Sequence, residues 1–181
     1  MIPTFNFYYP SIEGGGLEKN LFSLIDVFSN LSAKYGKMQL TIIGEGSQKK
    51  KLAKKTQHNK NIKIIGWKKN IRTNFLKSDL FVLNSFYEGL PNTLIDAVNY
   101  EVPCISTDVS GARDILLNGK GGHIIPINNQ HKLEQKIKYV MKNYPESKKK
   151  AKYAKSRIKR FGKINLQVFY KTFIKLVNYK K

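Results

Sequence analysis

Short, mostly apolar runs alternate with stretches of helical spacing along most of this chain. Phe5 to Tyr9, Leu40 to Ile43, Ile62 to Ile65 and Leu80 to Leu83 are four or five residues long and bounded by Gly, Pro or polar residues, so they read as strands. Glu101 to Asp108, apolar from Val102 to Ile105, is another buried strand that ends in polar residues. Between them lie helical patterns. After Gly14-Gly15-Gly16, the positions Leu17, Leu21, Leu24, Ile25, Phe28 and Leu31 share one face. Helices are expected over Gln48 to His58, mostly lysine outside, and over Ile71 to Lys77. One more opens at Pro91-Asn92-Thr93, with Leu94, Ile95, Ala97 and Val98 inward. From Asn129 the chain reads as helical, with one stripe of Leu133, Ile137, Val140, Met141 and Tyr144. A second stripe is Ala151, Ala154, Ile158 and Phe161; a third runs from Leu166 to Val177. Strands alternating with helices in this way predict an α/β fold: a Rossmann-like parallel sheet with helices on both faces, ligands at the carboxyl ends of the strands, and C-terminal helices.

Composition narrows the class. With 181 residues, 41% of them hydrophobic, the chain suits one domain with a real core. No apolar run is long enough to span a membrane, and Met1-Ile-Pro-Thr-Phe-Asn does not read as a signal peptide. A single cysteine, Cys104, excludes an internal disulfide and points to a reducing, cytoplasmic setting; within its apolar run it reads as a small core residue. The formal charge of +21 is concentrated after residue 130, where fifteen lysines and two arginines face only Glu134 and Glu146. Such a tail would suit a polyanion or RNA, or an anionic membrane surface at the inner face of a membrane. With only four arginines in the chain, readout of nucleic-acid bases is disfavoured and no nucleic-acid partner is expected. The plainer readings are solvated helix faces and an adenine/thymine-rich coding sequence.

The chemistry concentrates in Asn84-Ser-Phe-Tyr-Glu-Gly-Leu-Pro-Asn-Thr-Leu-Ile-Asp-Ala97. A strand, a Gly turn and a helix start bring bare N–H groups and the positive end of a helix dipole to one spot, which suits phosphate. Glu88 stands before this helix and Asp96 within its early turns, so two carboxylates flank the same place. A phosphate seat beside hydroxyl-binding carboxylates suits a sugar nucleotide. Gly14-Gly15-Gly16 is no dinucleotide fingerprint, because Lys19 stands where the third glycine of Gly-x-Gly-x-x-Gly belongs.

Glu88, seven residues, then Asp96 resembles the Glu-x7-Glu signature of the group 1 (family 4) retaining glycosyltransferases, with Asp in place of the second Glu. The resemblance runs in order from about Gln39 to the end and covers mainly the C-terminal, donor-binding lobe of the two-lobed GT-B fold. It implies a nucleotide-diphosphate sugar as substrate, no cofactor and no metal, a saccharide or lipid-linked acceptor, and work in polysaccharide or lipopolysaccharide synthesis. It implies a catalytic role for Glu88 on the donor sugar, and a turn of Gly89, Leu90, Asn92 and Thr93 around the diphosphate. Asp96 would hold the ribose diol, Lys19 would neutralise phosphate, Gly44 and Gly46 would let the backbone pass near the donor, and Trp67 would lie against the base. Each assignment has a structural rival: a helix-capping Glu88, a surface Asp96, a solvated Lys19, a Trp67 packed in the core or at the rim.

The first 38 residues admit two placements. Pro10-Ser-Ile-Glu-Gly-Gly-Gly-Leu-Glu-Lys19 resembles the start of the family's first lobe, which gives a boundary between residues 1–38 and a donor lobe over 39–181. By position, Glu18-Lys19-Asn20 to Asp26-Val27-Phe28 matches the beginning of the donor lobe itself, without the arginine that usually stands five residues before the lysine. Three functions follow: a sugar transferase, a donor-binding subunit needing a partner chain to supply the acceptor lobe, or a polyanion-binding protein.

Overall fold

The structure, a computed structural model, describes residues 5–10 as backbone and residues 19–158 in full. The expectations for Gly14–Gly16, Leu17, Phe161, Arg160 and the stripe from Leu166 to Val177 lie outside the described residues, as does much of the basic tail.

Six parallel strands form one sheet in the order β3-β2-β1-β4-β5-β6. They are β1 (Phe5–Pro10), β2 (Met38–Ile43), β3 (Ile62–Ile65), β4 (Leu80–Leu83), β5 (Cys104–Thr107) and β6 (His123–Ile125). The connecting helices are α1 (Leu21–Tyr35), α2 (Lys49–Thr56), α3 (Arg72–Leu76), α4 (Asn92–Asn99) and α5 (Ala112–Ile115); α6 (Gln130–Lys142) follows the last strand. A further helix, α7, covers 144–158. β4 and β5 are buried at every position; β4 accordingly reads as an unbroken apolar run, while β5 ends in the buried polar residues Ser106 and Thr107.

Apolar side chains fill both faces. Leu24, Phe28 and Leu31 of α1 meet Leu133, Ile137 and Val140 of α6 over one face, with Leu52 of α2 beside them. On the other face Phe75 of α3, Leu94 and Val98 of α4, Ile115 of α5 and Ala154 of α7 pack against Phe81 and Leu83. The expected stripes of α1 and α6 are therefore core-facing. Gly121 explains how close α7 comes: a Cβ there would lie 2.7 Å from the Ala154 Cβ.

One feature bears on the placement of the first 38 residues, and one departs from the sequence reading. β1 pairs with β2 over Phe5–Pro10 and with β4 at Phe7 and Tyr8, so the strand on the near side of the expected boundary at residue 38 is a central strand of the sheet. The strand expected over Glu101–Asp108 begins only at Cys104, because Glu101 adopts φ 56 as the chain reverses out of α4.

Several lysines expected to be solvated are instead tied down. Lys148 Nζ donates to the Glu101 carbonyl at 2.9 Å, Lys155 Nζ to Glu101 Oε1 at 2.7 Å, and Lys150 Nζ to the Gly119 carbonyl at 3.0 Å. The first two contacts fasten α7 to the turn that follows α4, and the third fastens it to the loop between α5 and β6. Among the described residues no helix is long and apolar enough to cross a membrane.

Candidate functional site

The carboxyl ends of β1, β4 and β5 bring the predicted residues together. β4 ends at Leu83, and the next two residues, Asn84 and Ser85, are polar yet buried. Beyond them the chain turns outward through Phe86 and Tyr87 to Glu88. Lys19 lies two residues before α1, next to Asn20, whose φ of 47 turns the backbone sharply into that helix. Lys19 and Glu88, sixty-nine residues apart, meet there: Lys19 Nζ stands 2.7 Å from Glu88 Oε1, with side-chain exposures of 15% and 11%. Ser85 Oγ donates to the same carboxylate oxygen at 2.6 Å. A pair this sheltered gains strength from weak solvent screening, against the cost of taking both charges out of water.

The turn before α4 is closed differently from expectation. Pro91 has φ −77 and ψ 76, the geometry of an inverse γ-turn, and the Asn92 amide donates to the Leu90 carbonyl at 2.8 Å. The Asn92 N–H expected to face a phosphate is therefore engaged within the turn. The amides of Gly89, Leu90 and Thr93 donate to no protein acceptor among the described residues and remain the donors of this helix start. Leu94 and Ile95 both donate to the Pro91 carbonyl, which anchors the first turn. A Cβ built on Gly89 meets nothing within 4 Å, so protein packing does not require glycine there. On the adjoining side, Gly111 (φ 75) carries the β5–α5 loop in so close that a Cβ would stand 3.3 Å from Pro91 Cδ.

Asp96 lies on α4, one turn after its start and half-buried. Burial raises its pKa above the ordinary aspartate range, and among the described residues no cation is paired with it. In a chain with 33 Lys and Arg against 12 Asp and Glu, a sheltered carboxylate without a cation is unusual. The helix dipole of α4 also favours negative charge near its N-terminal turn.

Gly44 and Gly46 follow β2, with φ 144 and φ 158. Gly44 extends the ladder by donating to Ile65 O, and Gly46 O accepts from the Lys49 amide at the start of α2. Trp67, after β3, is 61% exposed, which excludes core packing and leaves a place at the rim or against a base. Tyr87 and Leu90, on either side of Glu88 in the chain, are also well exposed. Cys104 is buried, its thiol pushed up by desolvation and its Sγ set against the Val102 carbonyl, which keeps it inert. Among the described residues no three His, Cys, Asp or Glu gather as a metal site.

Sequence reasoning passed over Asn84, Ser85 and Thr107. Thr107 Oγ1 donates to the Ser85 carbonyl at 2.7 Å and contacts the Leu83 carbonyl at 3.3 Å, while Asn84 Nδ2 donates to the Asn20 carbonyl at 3.1 Å. Their signal was present: polar residues standing immediately after, or at the last position of, a strand that is otherwise apolar.

Comparison with known proteins places this geometry. The profile of the glycosyl transferases group 1 family matches residues 7–157. An uncharacterized glycosyltransferase of Methanocaldococcus jannaschii is 40% identical over 104 residues, 55% of this chain and 25% of that protein. The N-acetylgalactosamine-N,N'-diacetylbacillosaminyl-diphospho-undecaprenol 4-alpha-N-acetylgalactosaminyltransferase of Campylobacter jejuni is 26% identical over 82% of this chain and 41% of its own length. Among solved structures, Anabaena HepE in complex with UDP-glucose superposes with a TM-score of 0.79 at 18% identity, over 94% of this chain and 48% of that one. The C-terminal domain of a glycosyl transferase group 1 family protein from Francisella tularensis gives 0.75 at 19% identity, over 88% of this chain and 87% of that one. The chain thus spans a quarter to two-fifths of the length of these two curated relatives. With six parallel strands, a helix start beside paired charges, and a family match across most of its length, the chain belongs to the glycosyl transferases group 1 family.

Proposed function

We propose that this chain is the donor-binding lobe of a sugar transferase, and that it moves a hexose from a nucleotide diphosphate to a saccharide or lipid-linked acceptor. The observation that carries this reading is the meeting of Lys19 and Glu88 at the carboxyl edge of the sheet, beside free amides and a sheltered Asp96. In this arrangement Lys19 and the amides of Gly89, Leu90 and Thr93 take the diphosphate, stabilising the leaving group as negative charge builds on it. Glu88 accepts hydroxyls of the donor sugar and steadies the oxocarbenium-like centre as the glycosidic bond breaks. Asp96 takes the ribose diol and Trp67 lies against the base. The chemistry proceeds with retention and without a metal, because lysine and backbone amides carry the charge on the phosphates. Residues 1–38 serve, in this reading, as the first strand–helix unit of the donor lobe, with Lys19 in the lysine position. Activity at the cytoplasmic face, with any contact to anionic lipid peripheral, belongs to the same reading.

Calorimetric titration with UDP-, GDP- and ADP-sugars tests it. One nucleotide class is expected to bind; binding by none of them overturns the proposal. The length of the relatives favours a second reading, a donor-binding subunit completed by another chain. Binding without turnover of a labelled donor by this chain, with turnover restored by a partner lobe, is the result that selects it.

A further inference from the structure

Behind the Lys19–Glu88 pair stand three polar side chains that the reading above does not use. Asn84 is 2% exposed, and Ser85 and Thr107 are 0% exposed. Burying hydroxyl and amide groups at the mouth of an apolar sheet is unfavourable unless each is bonded, and each is. Thr107 Oγ1 donates to the Ser85 carbonyl and so fixes the backbone where the chain leaves β4. From that fixed point Ser85 Oγ reaches Glu88 Oε1 at 2.6 Å, the length of a charge-assisted bond. Asn84 Nδ2 holds the carbonyl of Asn20, the residue after Lys19. One buried relay thereby sets both members of the pair, although they come from different elements.

The two oxygens of Glu88 are treated unequally. Oε1 accepts from both Ser85 and Lys19, while Oε2 accepts from no protein group among the described residues. We infer that Ser85 is a positioning residue for donor-sugar recognition, locking Glu88 so that Oε2 is the acceptor offered to a sugar hydroxyl, with Thr107 and Asn84 holding the backbone on either side. The inference rests on the donor-lobe reading and deepens it. Ser85 touches no donor atom in this scheme; its effect passes entirely through Glu88.

The test separates the sugar from the diphosphate. Wild type, Ser85→Ala and Ser85→Cys are titrated with whichever of UDP-glucose, GDP-mannose or ADP-glucose binds wild type most tightly, and with the matching free UDP, GDP or ADP. Losing a bond to a charged group weakens nucleotide-sugar binding about tenfold or more, while binding of the free diphosphate changes less than about twofold. Ser85→Cys keeps the volume but is a weak donor, so it follows Ser85→Ala and shows that packing is not the cause. In a Glu88→Gln background, Ser85→Ala adds less than about twofold, because the partner it positions has been altered. An equal loss for sugar and free diphosphate, or full additivity with Glu88→Gln, overturns the inference and leaves the donor-lobe reading standing. Wild-type protein that binds none of the nucleotide sugars overturns both.

Discussion

Residues 46–78 and residues 79–130 follow one another in sequence, contribute strands to opposite halves of one sheet, and have opposite electrical character. The first, covering α2, β3 and α3, contains eleven lysines and arginines and no acid. The second, covering β4 to β6 and most of the candidate site, contains six acids and only Arg113 and Lys120. An adenine/thymine-rich coding sequence would scatter lysine through both, so nucleotide bias alone does not explain the partition. The acids of the second stretch are placed individually: Glu88 against Lys19 and Ser85, Asp108 bridged by Arg113, Glu101 clasped by Lys155. Most lysines of the first stretch are exposed, and the charges around α2 that do pair, Lys49 with Glu45 and Lys55 with Asp26, do so on the surface. Position matters in one stretch, and total charge matters in the other.

The strongest way to break the comparison is through the one part of the basic stretch whose position does matter. Leu52, fully buried under α2, anchors that lysine-rich helix to the sheet. Leu52→Ala is expected to destabilise the fold by about 2–5 kcal/mol, measured by denaturant unfolding. Next comes the site itself. Glu88→Gln is expected to weaken nucleotide-sugar binding by about 1.5–3 kcal/mol in calorimetry.

A third test uses pH within the acidic stretch. Burial, with Lys136 and Lys150 nearby, lowers the His123 pKa to about 4, against partial compensation from Glu146. Its Nε2 contacts Ser147 Oγ at 3.2 Å and its ring meets Tyr139 edge-on, so the neutral imidazole pins α6 and α7 to β6. The unfolded chain binds a proton at about pH 6.5. Stability from this residue is therefore complete above that value and falls as pH drops towards 4, because the unfolded state takes up more protons across the window. Unfolding of His123→Gln measured across the same range is expected to show a flatter dependence. The smallest effect belongs to the exposed lysines. Replacing Lys50, Lys51 and Lys54 together with Gln should shift stability by less than about 0.5 kcal/mol per residue. It should slow association with a nucleotide sugar at low salt, and the difference should vanish at high salt, as stopped-flow binding would show.

Much of this was legible in the sequence because short apolar runs and helical stripes report burial directly. β4 spans Leu80–Leu83 as expected, and α4 begins at Asn92, one residue after the proline that marks its start. Lys19 and Glu88 were both read as facing a ligand; that they face each other depends on which strands are neighbours, and pairing order carries no local signature. That the Asn92 amide donates to the Leu90 carbonyl has no signature in the sequence, because the γ-turn at Pro91 is a matter of one ψ angle. Lys148 and Lys155 were indistinguishable from solvated lysines, since the groups they bond, the Glu101 carbonyl and carboxylate, come within reach only through tertiary packing.

The position of β1 has a consequence for how the molecule is made. Phe7 and Tyr8 are synthesised well before their partners on one side, Leu80 and Phe81, which follow some seventy residues later. Until then the middle of the sheet has a missing neighbour, and β1 with β2 and β3 presents an unfinished edge to whatever else is in solution. Completion of the fold, and of the junction where Lys19 meets Glu88, must wait for a long loop to close, so a slow synthesis or a pause before residue 80 would leave the nascent chain exposed at its most association-prone rung.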